Sequence, residues 1–405
     1  MIKILHLQYG LMAASPANRL HRAFNEAGLE SGILALYSDK NESQGISVMG
    51  KKGRVISKIN NTIQSYLTRN ILTKYGGFSY PVLGSDVSER KEVLQADVIY
   101  VHWILNGFLS IQSLDKLARL KKPIILVMHD MWTITGGCHH SFDCDKYTIQ
   151  CQNCQFFEPN KIKDLSYKGF NKKQHFFSKY QNFYFVSPSK WLYDCAQKSA
   201  LLGSKPVFHI PNVIDTSLFK PFSRKVARQI LNLDSKKDII AFGAMAINSP
   251  YKGWEYLKTA LNILYESGNR EIQIVVFGSG PNSEISESIP FETRFIGFVD
   301  NEYAISVIYN AANVFVAPSL ADNLPYTILE SLSCGTAVTA FKVGGIPELI
   351  AHKNNGYLAE YKNSEDLAAG IAYCLEEKIT GYKLKEFDQL TVIDKHLELI
   401  KSVLD

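Results

Sequence analysis

Short apolar, β-branched runs alternate with amphipathic segments along the whole chain. Stretches such as "KILHL" (3–7), "SGILAL" (31–36), "DVIYVH" (97–102), "IILVM" (124–128) and "FYFV" (183–186) predict strands. So do 207–210, 239–242, 272–277, 293–296, 314–317, 337–341 and 356–359. Between them, "ANRLHRAFNEAG", "SLDKLARL", "GWEYLKTALNILYESG" and "SEDLAAGIAYCLEE" repeat apolar residues at helical spacing. Strands separated by helices read as βαβ units on parallel sheets, so the expected class is α/β. The 405 residues exceed one ordinary domain, and a dozen strands need two sheets. "IPNVID" (210–215) ends one strand pattern before the next begins, giving expected domains over 1–212 and 213–385.

In doubly wound sheets, ligands sit at the carboxyl ends of strands. The residues to inspect are therefore Gly10 to Ser15, His102, His129-Asp130, Ser187, Gly243 to Lys252, Gly278 to Gly280, Gly297 and the loop 318–330. Nearly every strand end carries Gly, His, Ser or Asp, which implies a cleft between two sheets.

The stretch "APSLADNLPYTILESLSCGT" (317–336) is the most informative. It reads as strand, loop and helix. The backbone N–H groups of Tyr326, Thr327 and Ile328 would open the helix and form a ready phosphate site. Glu330, one turn in, could accept from two vicinal hydroxyls, and Asp322 could reach a sugar beyond the phosphates. The alternative is that Asp322 or Asn323 only caps the helix and Glu330 complements its dipole. In "FGAMAINSPYKGWEYL" (242–257), Lys252 follows a strand ending at Gly243 and could neutralise a departing pyrophosphate.

The segment "PSLADNLPYTILESLSCGTAVTAFKVGGIPELI" resembles the signature of retaining glycosyltransferases of family 4, which have the GT-B fold. The resemblance covers nearly the whole chain and is most specific here. It implies that Glu330 binds the nucleotide ribose and Asp322 the donor sugar. It also implies that backbone amides around Asn323, Leu324, Pro325, Tyr326 and Thr327 hold the diphosphate. Gly10, Gly243, Gly278 and Gly297 fall at the other donor-side strand ends. His129 matches a family histidine beside the donor sugar, and His102 is a candidate on the acceptor side. The chain departs from the pattern at Ala244, where an Arg is usual, and at Leu11-Met12, where glycines are usual. The Asp-Asn-Leu-Pro variant points to colanic-acid and exopolysaccharide-type transferases. The implied activity is a hexosyl transfer from a nucleotide-diphosphate sugar to a glycan or lipid-linked oligosaccharide, with no cofactor needed for catalysis. The competing classes are a non-catalytic sugar-nucleotide-binding protein and a glycoside hydrolase using Asp322 and Glu330. The fold resemblance also implies a last helix over 386–405 packing back on the first domain.

Cys138, Cys144, Cys151 and Cys154 crowd into 17 positions as C-x5-C-x6-C-x2-C. A cytosolic setting disfavours disulfides, and the closing C-x2-C makes structural zinc a candidate. Charge adds one more clue. The net charge is +5, yet residues 1–189 carry about 23 Lys and Arg against about 14 Asp and Glu. The basic stretches "KKGRVISK" and "KIKDLSYKGFNKKQHFFSKY" interleave apolar and aromatic residues. No nucleic-acid signature accompanies them, whereas an anionic membrane face suits that composition. Apolar runs such as "PIILVM" are far short of a membrane span, and no signal peptide is read at the N-terminus. The expected location is cytoplasmic, peripheral to the inner membrane face.

Overall fold

The computed structural model describes residues 2–38, 45–72, 76–159, 161–243 and 249–405. The chain divides into two compact units, 1–213 together with 390–405, and 214–389.

The first unit carries β1 (Lys3–Leu11), β2 (Glu30–Ser38), β3 (Ile46–Val48), β4 (Val98–Val101), β5 (Ile124–Val127), β6 (Phe183–Ser187) and β7 (Val207–His209). They form one sheet in the order β3-β2-β1-β4-β5-β6-β7, and every pairing is parallel. Its strands are apolar on both faces, as a sheet covered by helices on both sides requires. Ile99, Val101, Leu126 and Phe185 join one core. Val98, Tyr100 and Ile125 point the other way, against Leu20 and Phe24 of the helix Pro16–Glu26. Val392, Ile393, Leu399 and Ile400 of the last helix, Gln389–Leu404, complete that second core.

The second unit carries β8 (Asp238–Gly243), β9 (Ile272–Phe277), β10 (Glu292–Gly297), β11 (Val314–Ala317), β12 (Ala337–Phe341) and β13 (Gly356–Ala359). Their order is β10-β9-β8-β11-β12-β13, again all parallel. Alternate residues separate cleanly: Ile239 and Ala241 enter one core, Ile240 and Phe242 the other.

Both sheets reverse their winding once, between β1 and β4 and between β8 and β11. Those reversal points open a crevice at the carboxyl ends of the strands. Two doubly wound parallel sheets on one chain make this the GT-B fold. Three details differ from the sequence reading. β1 runs on to Leu11, so Gly10 and Leu11 are strand residues rather than a loop. The three-residue edge strand β3 was not foreseen. The last helix starts at Gln389, after a separate turn at Lys385–Phe387.

Candidate active site

In the second unit, the winding reversal brings two loops together. Lys252 ends the short turn Pro250–Lys252, and its Nζ lies 3.3 Å from Asp322 Oδ2. Burial works against the Lys252 charge, but the Asp322 carboxylate and Tyr251 hold its pKa above the ordinary value. The backbone fixes this pair. Leu320 N donates to Tyr251 O at 2.7 Å. Gly253 has φ +70°, and a Cβ there would lie 1.9 Å from Pro318 O. Gly344 has φ +58°, and a Cβ there would lie 1.8 Å from Asp322 O. Only glycine lets either backbone approach so closely. We therefore expect Gly344→Ala to lower stability by about 2 kcal/mol or more, through strain and the forced shift of Asp322. A denaturant midpoint unchanged from wild type would contradict this.

The helix Tyr326–Ser333 begins at Pro325, whose own side chain offers no capping group. The Ile328 N–H, expected to face a ligand, instead donates to Pro325 O at 3.2 Å. Asn323 and Leu324 are buried, Leu324 within the core, so Leu324 can contribute only backbone. Glu330 is 5% exposed, and its Oε2 accepts from the Tyr309 hydroxyl at 3.1 Å. Tyr309 is itself held edge-on against Phe277 and Phe315. Tyr309 was missed in the sequence, since it lies in the last turn of an ordinary amphipathic helix, Glu302–Ala311.

Glycines close the remaining strand ends. A Cβ on Gly243 would meet the Phe277 ring at 2.4 Å. Gly278 N donates to Gly297 O at 2.8 Å, both residues having positive φ, and β10 shifts register just before Gly297. Ala244, where the family pattern has an Arg, lies outside the described residues.

In the first unit, His102 follows β4 and His129 follows β5 by two residues. His102 Nδ1 lies 3.1 Å from His129 Nε2, and His102 Nε2 lies 2.9 Å from His6 Nδ1. Both ring nitrogens of His102 are thus engaged, so it orients His129 rather than reaching out to an acceptor. Burial lowers all three pKa values, that of His129 to about 4, and keeps the rings neutral at pH 7. His6 escaped the sequence reading because it sits inside an apolar strand. Gly10 pairs with Tyr37 in the sheet, and a side chain there would meet nothing within 4 Å. That position has no steric need for glycine.

Asp130 does cap the following turn, Met131–Ile134, through Trp132 N at 2.8 Å. Its other oxygen lies 2.5 Å from His139 Nδ1, and His139 Nε2 lies 2.9 Å from Ser79 Oγ. Burial would raise the Asp130 carboxyl, but His139 and the Trp132 N–H hold it down to about 2. The Ser–His–Asp order resembles a nucleophilic triad. However, Ser79 is buried, its own N–H is bonded to Gly137 O, and the Tyr80 N–H is bonded to Gln64 Oε1. With those donors spent, no oxyanion could be stabilised beside Ser79. The arrangement anchors the backbone next to His129.

The four clustered cysteines are free thiols, as are Cys195, Cys334 and Cys374. Among the described residues no group of three or more His, Cys, Asp or Glu side chains is placed to hold a metal ion. Burial raises the thiols, Cys151 to about 12 and Cys154 to about 11, and Gly136 N donates to Cys151 Sγ. Cys138 and Cys154 pack with Phe78, Phe156 and Phe157. Cys144, Cys151 and Cys154 each raise the Cys138 thiol electrostatically as well, so the four cysteines of the expected zinc set lie near one another.

Residues 236–377 match the family model described as Glycosyl transferases group 1. A D-inositol 3-phosphate glycosyltransferase of Segniliparus rotundus is 28% identical over 175 residues, covering 41% of this chain and 38% of the relative. An uncharacterized glycosyltransferase of Methanocaldococcus jannaschii is 30% identical over 150 residues, covering 36% and 37%. The chain thus spans about two fifths of the length of the curated relatives it matches. Among solved structures, sucrose-phosphate synthase from Thermosynechococcus elongatus superposes with TM-score 0.64 at 17% identity, covering 100% of this chain and 99% of its own. HepE of Anabaena, in complex with UDP and glucose, gives 0.63 at 16%, covering 99% and 100%. These two likenesses are of fold.

Proposed function

We propose that the chain is a retaining hexosyltransferase of glycosyltransferase family 4. It would move a sugar from a nucleotide-diphosphate donor to a glycan or lipid-linked oligosaccharide in cell-surface polysaccharide assembly. The observation that carries this reading is the Lys252–Asp322 pair, fixed by two obligatory glycines at the winding reversal of the second sheet. As the bond between the sugar C1 and the phosphate oxygen breaks, Lys252 offsets the growing diphosphate charge, helped by the helix start at Tyr326. Asp322 orients the sugar, and Glu330 accepts from the ribose hydroxyls. The acceptor oxygen bonds C1 on the face the phosphate leaves, and the phosphate takes its proton. No metal is needed, because the cations come from the protein. HepE, solved with UDP and glucose, lends support for a nucleotide-sugar donor. A hydrolase reading loses support, since Asp322 pairs with Lys252 and Glu330 sits behind Tyr309. Neither is then a carboxyl poised across a glycosidic bond.

Among the described residues no helix is long and apolar enough to cross a membrane. A lipid-linked acceptor would therefore be met by peripheral attachment at the inner membrane face, in the cytoplasm.

Thermal unfolding with UDP-, GDP-, ADP- and CMP-sugars tests the donor site. One donor should stabilise the wild type by about 2.7 kcal/mol at a concentration 100-fold above its Kd. The same donor should leave Glu330→Ala unshifted. Stabilisation by none of them would sink the transferase reading.

A further inference from the structure

The helix Lys51–Leu67 presents its faces in the reverse of the usual order. An ordinary surface helix buries its apolar stripe. Here the inward face is small and polar. Gly53 lies against Leu36 and Met49, where an added Cβ would come within 3.2 Å. Ser57 Oγ donates to Asn106 O at 2.7 Å. Asn60 Oδ1 accepts from Val82 N and Leu83 N at 2.9 and 3.0 Å, and Gln64 Oε1 accepts from Tyr80 N at 3.0 Å. These bonds clamp the helix to the body without using its apolar side chains.

Ile56 and Ile63 are half-buried, but the other apolar side chains face outward. Val55 is 54% exposed, Ile59 48% and Tyr66 64%. At 100° per residue, Val55, Ile59, Thr62 and Tyr66 fall within about 60° of one another, opposite Gly53, Ser57 and Asn60. Lys51 and Lys58 flank this stripe about 40–60° to one side, and Lys52 lies about 60° to the other. Between 51 and 69 the sequence has five cations, Arg54 included, and no Asp or Glu.

We propose that this helix is an in-plane docking surface for an anionic lipid bilayer. An apolar ridge with Lys51 and Lys58 along one side and Lys52 on the other suits the boundary between headgroups and acyl chains. The ridge enters the boundary while the lysine stems let their ammonium groups reach lipid phosphates. A second copy of the chain is a poor occupant, since it would bring the same cations face to face. Nucleic acid would meet the cations but has no use for the aliphatic ridge. The proposal deepens the reading of peripheral membrane contact and names the surface that makes it. Because it is measured without nucleotide sugar, its failure would leave the donor site untouched.

The test is co-sedimentation with vesicles of phosphatidylcholine, with and without phosphatidylglycerol. Wild type should pellet with the anionic vesicles and stay in solution with the neutral ones. Lys51→Glu with Lys58→Glu should weaken the partition on the order of tenfold or more. Val55→Ser with Ile59→Ser should weaken it without removing a charge. These side chains are exposed, so melting temperatures should match wild type. A third variant, Lys161→Glu with Lys163→Glu, alters the other basic stretch and should bind as wild type does. Equal binding to both vesicle types would overturn the proposal. So would loss only in the third variant, or self-association on sedimentation velocity that Ile59→Ser abolishes while lipid is ignored.

Discussion

Replacing Lys252 by Ala is expected to lower kcat by about 10²- to 10³-fold, the range for removing one preorganised donor at a site of developing charge. The pair it forms with Asp322 is partly exposed, with side chains 31% and 19% accessible. Such a pair contributes roughly 0–1 kcal/mol to folding, so the melting temperature should hardly move. Activity and stability therefore separate in this variant, which marks a catalytic role. Lys252→Arg keeps the charge but needs more room between Tyr251 and Asp322, and should recover only part of the rate. Steady-state kinetics with the donor found by thermal shift gives the comparison. A kcat near wild type in Lys252→Ala would remove the lysine from leaving-group stabilisation.

Acid should unfold the first unit before the second. His6, His21, His102 and His396 are buried in it and His129 is half-buried, and loss of solvent lowers each pKa, His21 and His129 to about 4 and His396 to about 3. His352, the one histidine of the second unit, is shifted down as well, but it lies in an exposed position. An unfolded histidine titrates near 6.5, so below that pH the unfolded chain binds protons the folded unit refuses. Stability is complete above about pH 6.5 and declines as pH falls toward 4. Two such unmatched protons remove about 3 kcal/mol between pH 6.5 and 5, a large part of a domain's 5–15 kcal/mol. Calorimetry across this range should show the first unit's transition sliding down while the second holds. Parallel movement of both would show that these imidazoles do not govern acid stability.

The parallel sheets were readable in the chain because their strands are continuous apolar runs with glycine, histidine or aspartate at their ends. Runs of that kind stand out against helical spacing. Edge strand β3 has three residues, too few to form a pattern. The pairing of Lys252 with Asp322 joins positions 70 apart, and only their shared place after strand ends suggested it. Gly253 and Gly344 could not be told from other loop glycines, because their necessity comes from carbonyls elsewhere in the chain. Lys173 shows the opposite error. Within a run that reads as a basic surface, it is buried over the Trp132 ring, donating to Thr135 O, with its pKa lowered to about 7. Charge in a sequence does not say which cation the fold encloses.

The last helix has a consequence for synthesis. Part of the cover over Ile4, Val98 and Tyr100 comes from 390–405, beside Leu20 and Phe24, and His396 Nδ1 lies 3.1 Å from the Tyr100 hydroxyl. On a ribosome, the first 213 residues emerge long before that cover exists. The middle stretch, 214–389, is continuous in sequence and can close its own core as soon as it is free of the tunnel. Order of manufacture and order of completion are therefore reversed. The half made first is finished last, and until then part of one face of its sheet stands open to water and to chaperones.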